Sequence, residues 1–390
     1  MSKEETKTKK KKYKLQVMDI ITISFTAIIV GIMGFVVYDH FADKKNDPSL
    51  TTQAPVTAAP TKEPTLSDIG NIYGNITNDA NVVIIDDREY FISADDNGDK
   101  NIHVTSNNVT TPLIKTDASS LNVVTDYISF AGQLNTKGYY VFYINANGNI
   151  CYVVDGPVGK DHEQKTSLTE VVFLSGSYSS INVSGEFLYH LNSDGVIGKT
   201  SIINKTTQDL TSERAYKNFV LYYGQIYAQG KDDNFIYSIP SVLQETSSAT
   251  ATAAATATGE AVNESKEKLI ISDSVEAYAL DNEWIYTAGE NGIVRYLPDG
   301  LNQKDTLSRE KANKINVYSN AIFYMVGNHL YTSSFESLLL DSVIDIGEVS
   351  SLSGINLSSS AIYLVNEDGK LCKSTYNSET KTYNEFKTMN

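Results

Sequence analysis

The polar residues that most resemble a ligand site lie in one short acidic run, with Asp95, Asn97 and Asp99 at alternate positions. Oxygen ligands alternate in this way in calcium-binding loops, where the ion takes roughly six to eight oxygens. An EF-hand loop would have Gly in the sixth place and Glu in the twelfth, but this chain has Lys100 and Ser106 there. We favour a plain hairpin turn and keep a calcium site at these three residues as the alternative.

The five histidines and two cysteines lack the spacing of a metal or redox site. Neither His-x-x-x-His nor Cys-x-x-Cys occurs, so zinc-type ligand pairs are not indicated. Cys151 and Cys372 each lie three residues after a turn glycine, and we expect buried free thiols at equivalent strand sites of different repeats, not a disulfide. We expect strand or loop residues at the histidines: His40, His103, His162, His190 and His329.

The motifs of phosphate, acyl-transfer and dinucleotide chemistry do not occur in the sequence. We therefore expect no catalytic residues and no cofactor. The formal net charge is -15, and it is unevenly divided, because residues 1–16 hold seven Lys and two Glu while the remainder holds 25 basic and 45 acidic residues. An acidic domain is a poor partner for phosphate backbones, which excludes nucleic acid as an expected ligand.

Ile20 to Tyr38 form an uncharged run of 19 residues. As a helix the run would span about 28 Å, close to the roughly 30 Å of a bilayer core. We predict a membrane anchor over 17–39 and, by the positive-inside rule, a cytosolic basic tail over 1–16. A cleaved signal peptide is the rival interpretation, but its apolar region is shorter and ends in small residues. The remaining chain would lie outside the cell membrane, tethered by a single pass.

Residues 40–66 are rich in Thr and Pro, and we predict a disordered linker that cannot bury a core. A second biased tract, 244–268, is rich in Ala and Thr. We interpret it as a solvated insertion within the outer domain, 67–390, and not as a domain boundary.

From residue 67 onward, short runs of Val, Ile, Tyr and Phe alternate with Gly, Asn and Asp turns, which is typical of an all-β fold. An Ile-Asn-aliphatic step recurs at Ile181, Ile315 and Ile355. Tyrosines at matching places are separated by 38, 59, 38 and 39 residues, and the long interval contains the Ala/Thr tract. Without about 20 inserted residues the period is roughly 40, the length of a four-stranded propeller blade. The five tyrosines are Tyr189, Tyr227, Tyr286, Tyr324 and Tyr363, and Tyr90 and Tyr140 mark two divergent copies.

We therefore predict an all-β β-propeller of six to seven four-stranded blades, preceded by one transmembrane helix and the linker. Blades bury their two apolar faces by stacking around an axis. We expect the repeated Tyr to pack between blades and the repeated Asn to satisfy a turn or backbone group.

One repeat, WIYTAGENGIVRYLPDG at 284–300, resembles the YWTD-type repeat of lipoprotein-receptor propellers. Trp284 to Thr287 match its aromatic strand, Gly292 to Arg295 its second strand, and Asp299-Gly300 its final turn, although the YWTD motif itself is absent. The region 67–390 resembles a bacterial family of uncharacterised extracytoplasmic domains named for that likeness. The resemblance implies a binding or scaffold module and carries over no catalytic residues.

These features together predict a noncatalytic binding or scaffold module displayed at the cell surface. Its expected partners are the membrane, through Ile20 to Tyr38, and a protein, peptide or glycan outside. The alternative is a lyase or hydrolase that acts on envelope polymers with its site in the central channel of the ring.

Overall fold

The structure, a computed structural model, describes residues 72–126, 138–157, 168–241, 267–281, 284–298, 304–334 and 343–389. The predicted tail, anchor and linker lie outside these residues, as does most of the 244–268 tract. Within the described ranges, no helix is long and apolar enough to cross a membrane. These ranges contain 29 strands and one short helix, α1 (Tyr73–Ile76).

The strands form seven antiparallel sheets, and each sheet is one continuous stretch of sequence. The fold is therefore a β-propeller, as predicted, and its blade number is seven.

Blades 1 to 4 contain the first sixteen strands. Blade 1 has β1 (Val82–Ile85), β2 (Arg88–Ala94), β3 (Lys100–Ser106) and β4 (Val109–Ile114). Blade 2 has β5 (Ser119–Asp126), β6 (Gly138–Ile144), β7 (Ile150–Pro157) and β8 (Val171–Leu174). Blade 3 has β9 (Tyr178–Ser184), β10 (Phe187–Asn192), β11 (Ile197–Ser201) and β12 (Thr207–Asp209). Blade 4 has β13 (Tyr216–Tyr222), β14 (Gln225–Gly230), β15 (Ile236–Pro240) and β16 (Lys268–Ile271).

Blades 5 to 7 complete the ring. Blade 5 has β17 (Ala277–Asp281), β18 (Trp284–Gly289), β19 (Gly292–Tyr296) and β20 (Lys304–Ser308). Blade 6 has β21 (Lys314–Tyr318), β22 (Ala321–Val326), β23 (His329–Ser334) and β24 (Ile344–Glu348). Blade 7 has β25 (Asn356–Leu357), β26 (Ala361–Val365), β27 (Leu371–Asn377), β28 (Thr382–Tyr383) and β29 (Lys387–Thr388).

The repeated tyrosines all lie on the second strand of a blade and are at most 6% exposed. They pack in apolar clusters that join neighbouring blades, as Tyr90 of blade 1 does with Tyr139 and Tyr143 of blade 2. The predicted packing role is confirmed. A buried ring this large removes apolar surface that a lone four-stranded blade would leave in water.

The first strands of adjacent blades contact one another around the axis of the ring. The repeated asparagines join them, because each side chain bonds the backbone of the next blade. Asn182 accepts from the Leu221 amide at 2.8 Å, and Asn316 donates to the Ile355 carbonyl at 2.6 Å. Asn356 of blade 7 accepts from the Val82 amide of blade 1 at 3.3 Å. The expectation that these asparagines satisfy backbone groups is confirmed.

The central channel contains residues 72–81, which we call the axial segment. Its helix α1 contacts the first strands of blades 4 to 7, and Gly74, Asn75 and Ile76 are buried. Tyr73 packs edge-on against Tyr222, near the end of β13, with ring centroids 4.8 Å apart. Farther along, Thr77 Oγ1 donates to the Tyr278 carbonyl near the start of β17 at 2.7 Å. The segment thus runs through the channel opposite in direction to the first strands.

Asparagines of the axial segment fasten it to blades 6 and 7. Asn75 Nδ2 donates to the Leu357 carbonyl at 2.9 Å while its Oδ1 accepts from the Leu357 amide at 2.8 Å. Asn78 bridges two blades, donating to the Ile315 carbonyl at 3.0 Å and accepting from the Ile355 amide at 3.0 Å. Buried amides with full sets of partners favour one arrangement of the chain.

Among the described strands, none is exchanged between the first and last blades, and side chains and the axial segment join these two blades. An apolar cluster containing Phe91 and Tyr363 joins blade 1 to blade 7. The Lys373 ammonium donates to both carboxylate oxygens of Glu89, at 2.8 and 3.0 Å. The axial segment adds the bond from the Asn81 amide to Asn356 Oδ1 at 2.9 Å.

Candidate functional site

In the described residues, a cleft of about 540 Å³ lies between blades 6 and 7. We call it the 6–7 cleft. Its volume lies within the roughly 300–1,000 Å³ of ordinary ligand sites. The lining residues are Ile346, Glu348, Val349, Ser350, Leu364, Asn366, Cys372, Tyr383, Asn384, Glu385 and Phe386.

The cleft exists because blade 7 has no continuous fourth strand. β28 pairs with the end of β27 and β29 with its start, so the chain between them leaves the sheet. Backbone hydrogen bonds of Asn384 fix the chain where it leaves the sheet. The Asn384 backbone amide donates to the Thr375 carbonyl at 2.9 Å, and the Asn384 backbone carbonyl accepts from Ser374 Oγ at 2.6 Å. Tyr383, at the end of β28, and Phe386, in the departing chain, both pack toward blade 6.

Aromatic contacts form the wall of the cleft. Tyr383 packs edge-on against Phe323 of blade 6, with ring centroids 6.0 Å apart, and against Tyr376 at 5.2 Å. Phe386 packs against the same apolar cluster, which also contains Leu364. Edge-to-face packing of this kind fixes ring orientation, so the wall is largely preformed.

Two exposed carboxylates, Glu348 and Glu385, line the cleft, and none of its other described lining residues is a Lys, Arg or His. A glycosidase acid is held in an apolar pocket, which these exposed groups lack. Among the described lining residues, no histidine lies beside the Cys372 thiol.

The acidic run at Asp95, Asn97 and Asp99 forms the turn between β3 and the preceding strand β2. Asp95 Oδ1 accepts from the Asn97 amide at 2.8 Å and the Asp99 amide at 3.2 Å, and its Oδ2 accepts from Asn101 Nδ2 at 3.1 Å. These bonds, chiefly that from the Asn97 amide, lower the pKa of Asp95. In the described part of the chain, no three His, Cys, Asp or Glu side chains are grouped to hold a metal ion. Calcium binding here stays a prediction.

The histidines are scattered. His103 stacks on Phe91 with centroids 5.2 Å apart, and His190 is buried beside Thr200. The exposed His329 lies 3.7 Å from Asp345, measured from Nδ1 to Oδ1. His40 and His162 lie outside the described residues.

Both cysteines occupy the second position of a third strand, as their shared sequence context predicts. Cys151 is fully buried, and burial raises the pKa of its thiol to about 12. The expectation of burial is wrong for Cys372, which is half-buried and lines the 6–7 cleft. The broken fourth strand of blade 7 opens the 6–7 cleft beside β27, and the Cys372 side chain is part of its lining.

Sequence reasoning did not find the 6–7 cleft. A signal was present after Tyr376, where NSETKTYNEFK lacks the aliphatic alternation of an ordinary fourth strand. Nothing in that stretch indicated that Tyr383 and Phe386 would turn toward blade 6.

No protein-family model matches this chain, and no curated protein sequence matches it significantly. The resemblance to the YWTD-type family therefore stays a prediction. Solved structures with a similar fold include Hsv2 of Kluyveromyces lactis, with a TM-score of 0.43 and 13% identity over 77% of this chain and 94% of that one. BamB from Moraxella catarrhalis has a TM-score of 0.44 and 10% identity over 79% and 84% of the two chains. The WD40 propeller domain of Doa1 has a TM-score of 0.42 and 10% identity over 65% and 80%. Likeness at this level says nothing about function.

Proposed function

We propose that this chain is a membrane-anchored, extracytoplasmic β-propeller that acts as a noncatalytic binding or scaffold module at the cell surface. The observation that carries the proposal is the occupied channel. The axial segment fills the ring from Tyr73 to Asn81 and is bonded to several blades, so ligands meet the outer surfaces of the ring. A propeller with a filled centre and an open cleft at its side is well suited to binding.

The same observation counts against the channel-centred lyase or hydrolase. Such an enzyme would place its acid, base and polymer in the channel, where Gly74, Asn75 and Ile76 are already buried. The bonds of Asn75 and Asn78 to blades 6 and 7 would have to break before a polymer could enter. The broken bonds would leave buried amides unpaired, at about 1–3 kcal/mol for each group.

Support for the location comes from the sequence. The uncharged run Ile20 to Tyr38 has the length of a bilayer core, and the Lys-rich tail before it has the charge of a cytosolic flank. The linker over 40–66 would hold the propeller away from the membrane. The partner in this proposal is a protein, peptide or glycan outside the cell.

Cysteine accessibility tests the topology. In a bacterial host without an outer membrane, the full chain would be made with Cys372→Ser, which leaves the fully buried Cys151 as the remaining native thiol. One variant adds Ser360→Cys, at an exposed residue between β25 and β26, and the other adds Ser2→Cys in the basic tail. On intact cells, a membrane-impermeant maleimide should label the first variant only, and after lysis it should label both.

Fractionation is the second arm of the experiment. The chain should stay in the membrane pellet after an alkaline wash, because an apolar helix resists extraction. Release by the wash, or labelling of Ser2→Cys on intact cells, would refute the anchored, cytosolic-tail arrangement. The host strain without the introduced cysteines gives the background.

A further inference from the structure

We propose that the 6–7 cleft binds an extended peptide segment in which a Lys or Arg side chain stands beside an aliphatic or aromatic residue. This inference rests on the proposed binding role and names the class of partner. Charge, apolar surface and a free strand edge each contribute to it.

Charge selects a cation. Glu348 and Glu385 are the charged residues of the lining, and neither is ion-paired with another described residue. Two nearby lysines of blade 7 are directed elsewhere, since Lys370 donates to Asp96 at 2.7 Å and Lys373 to Glu89 at 2.8 Å, both in blade 1. Lys387 of β29 is not part of the lining. The described lining thus holds two carboxylates and no Lys, Arg or His, and the nearest histidine, His329 opposite Glu348, faces Asp345. A guanidinium or ammonium group would complement the two carboxylates.

Apolar surface selects the residue beside the cation. Ile346, Val349, Leu364 and Phe386 contribute aliphatic and aromatic surface to the cleft, and Tyr383 closes its wall. An apolar side chain placed against them leaves water at about 25 cal/mol for each Å² buried. A ligand with charged groups alone would leave this apolar surface exposed to water.

The free edge of β24 favours a peptide ligand over a small molecule. β24 is the outermost strand of blade 6, and within the described ranges it has a neighbouring strand on one side only. Its residues Ile346 and Glu348 line the cleft. Just before them, Val343 and Ile344 are 41% and 45% exposed. A peptide can pair its main chain with such an edge and cover the apolar residues beyond the cleft. A compound of the size of the cleft would reach only the lining.

The experiment selects peptides against the full chain, reconstituted in lipid nanodiscs, from a display library of short random sequences. Enriched peptides should combine Lys or Arg with an aliphatic or aromatic neighbour. They should also shield the Cys372 thiol from maleimide, since Cys372 lines the cleft and Cys151 is buried. The double variant Glu348→Gln, Glu385→Gln should bind these peptides about tenfold more weakly.

The matched control is Glu367→Gln, Glu379→Gln, which removes two exposed carboxylates of blade 7 outside the cleft and should leave affinity unchanged. A thermal melt confirms that both variants are folded. Three results would overturn the inference: no enrichment of basic sequences, equal affinity for the cleft double variant, or a Cys372 that stays reactive with peptide bound. Phenethylammonium is tested in the same maleimide assay. If it protects Cys372 as strongly as the peptides do, the cleft binds small amines and the peptide proposal is wrong. Membrane anchorage is measured separately by fractionation, so a failure of peptide binding would not affect the conclusion about the anchor.

Discussion

His190 lies buried on β10, directly opposite Gly198 of β11. Its Nε2 is 3.1 Å from Thr200 Oγ1, while Nδ1 has no hydrogen-bond partner among the described residues. A Cβ at position 198 would lie 2.3 Å from His190 Cε1, so glycine there makes room for the ring. Burial lowers the pKa of His190 to about 4, against an opposing effect of the Asp209 charge. The imidazole is therefore neutral in the folded propeller above about pH 4.

The first prediction concerns pH. Below the ordinary His pKa of about 6.5 the unfolded chain binds a proton at His190, whereas the folded chain does not until about pH 4. The free energy of unfolding should therefore fall by about 3 kcal/mol as the pH drops through this window, and be constant with respect to this group above it. Urea denaturation at a series of pH values measures the change.

Two variants separate His190 from other groups that titrate. His190→Leu should flatten the slope between about pH 6.5 and pH 4, because no imidazole is left to protonate. His329→Gln alters an exposed histidine and should leave the slope as it is. An unchanged slope in His190→Leu would show that the pH dependence comes from elsewhere.

At the scale of elements, the turn between second and third strands is built in the same way in blades 1, 2, 3 and 7. An Asp or Asn side-chain oxygen accepts two backbone amides, two and four residues later, and a glycine with positive φ completes the turn. Asn192 is the example in blade 3, with bonds from the Asp194 amide at 3.0 Å and the Val196 amide at 2.9 Å. Such Asx turns tie strand ends at the edge of the sheet.

The second prediction concerns this turn. Asn192→Ala removes both acceptor bonds and should lower the free energy of unfolding by about 1–2 kcal/mol. Asn192→Asp keeps an oxygen in the same place and should stay within about 0.5 kcal/mol of the parent. Chemical denaturation midpoints with an unchanged slope give the values.

Ser193→Ala is the control within the same turn, because this exposed side chain has no role in the Asx bonds. Equal loss in Ser193→Ala and Asn192→Ala would mean that the turn responds to any substitution and that the side-chain acceptor is not the cause.

At the scale of the whole molecule, the axial segment substitutes for the strand exchange that many rings use to close. Gly74 lies against blade 6, where an added Cβ would be 1.9 Å from Asn316 Oδ1. Asn316 in turn bonds Asn75 Oδ1 at 2.9 Å and the Ile355 carbonyl of the chain leading into blade 7. One small residue thus lets the segment, blade 6 and blade 7 meet.

The third prediction is that Gly74→Ala loosens this closure. Overpacking should cost about 1–3 kcal/mol of unfolding free energy. Amide hydrogen exchange should rise in β1 and in β25, which the axial segment joins, and change little in β9 of blade 3. Mass spectrometry of peptides from the exchanged protein measures both.

A double-mutant cycle with Asn316→Ala tests the cause. Removing the Asn316 amide relieves the clash, so the cost of the double variant should be smaller than the sum of the two single costs by more than about 0.5 kcal/mol. Strict additivity, or exchange that rises equally in all blades, would argue against a local closure by the axial segment.

Much of this architecture was available from the sequence alone. Short β-branched and aromatic runs between Gly, Asn and Asp turns specified strands, and a tyrosine period of roughly 40 residues specified blades, because each blade must bury the same face. The bonds of Asn182, Asn316 and Asn356 to the next blade follow the same logic of repeats. The prediction of a membrane anchor also rests on the sequence, because a helix of 19 uncharged residues has about the length of a bilayer core.

Only the tertiary structure decided the number of blades, the contents of the channel and the place of the cleft. The axial segment carries no periodic pattern, and its bonds, such as that from Asn75 to Leu357, join residues far apart in the chain. The 6–7 cleft likewise depends on Tyr383, at the end of β28, packing against Phe323 of blade 6. Local sequence patterns indicate which residues form strands. The contacts of the axial segment and of the cleft join residues far apart in the chain, so they form only when the blades have assembled into a closed ring.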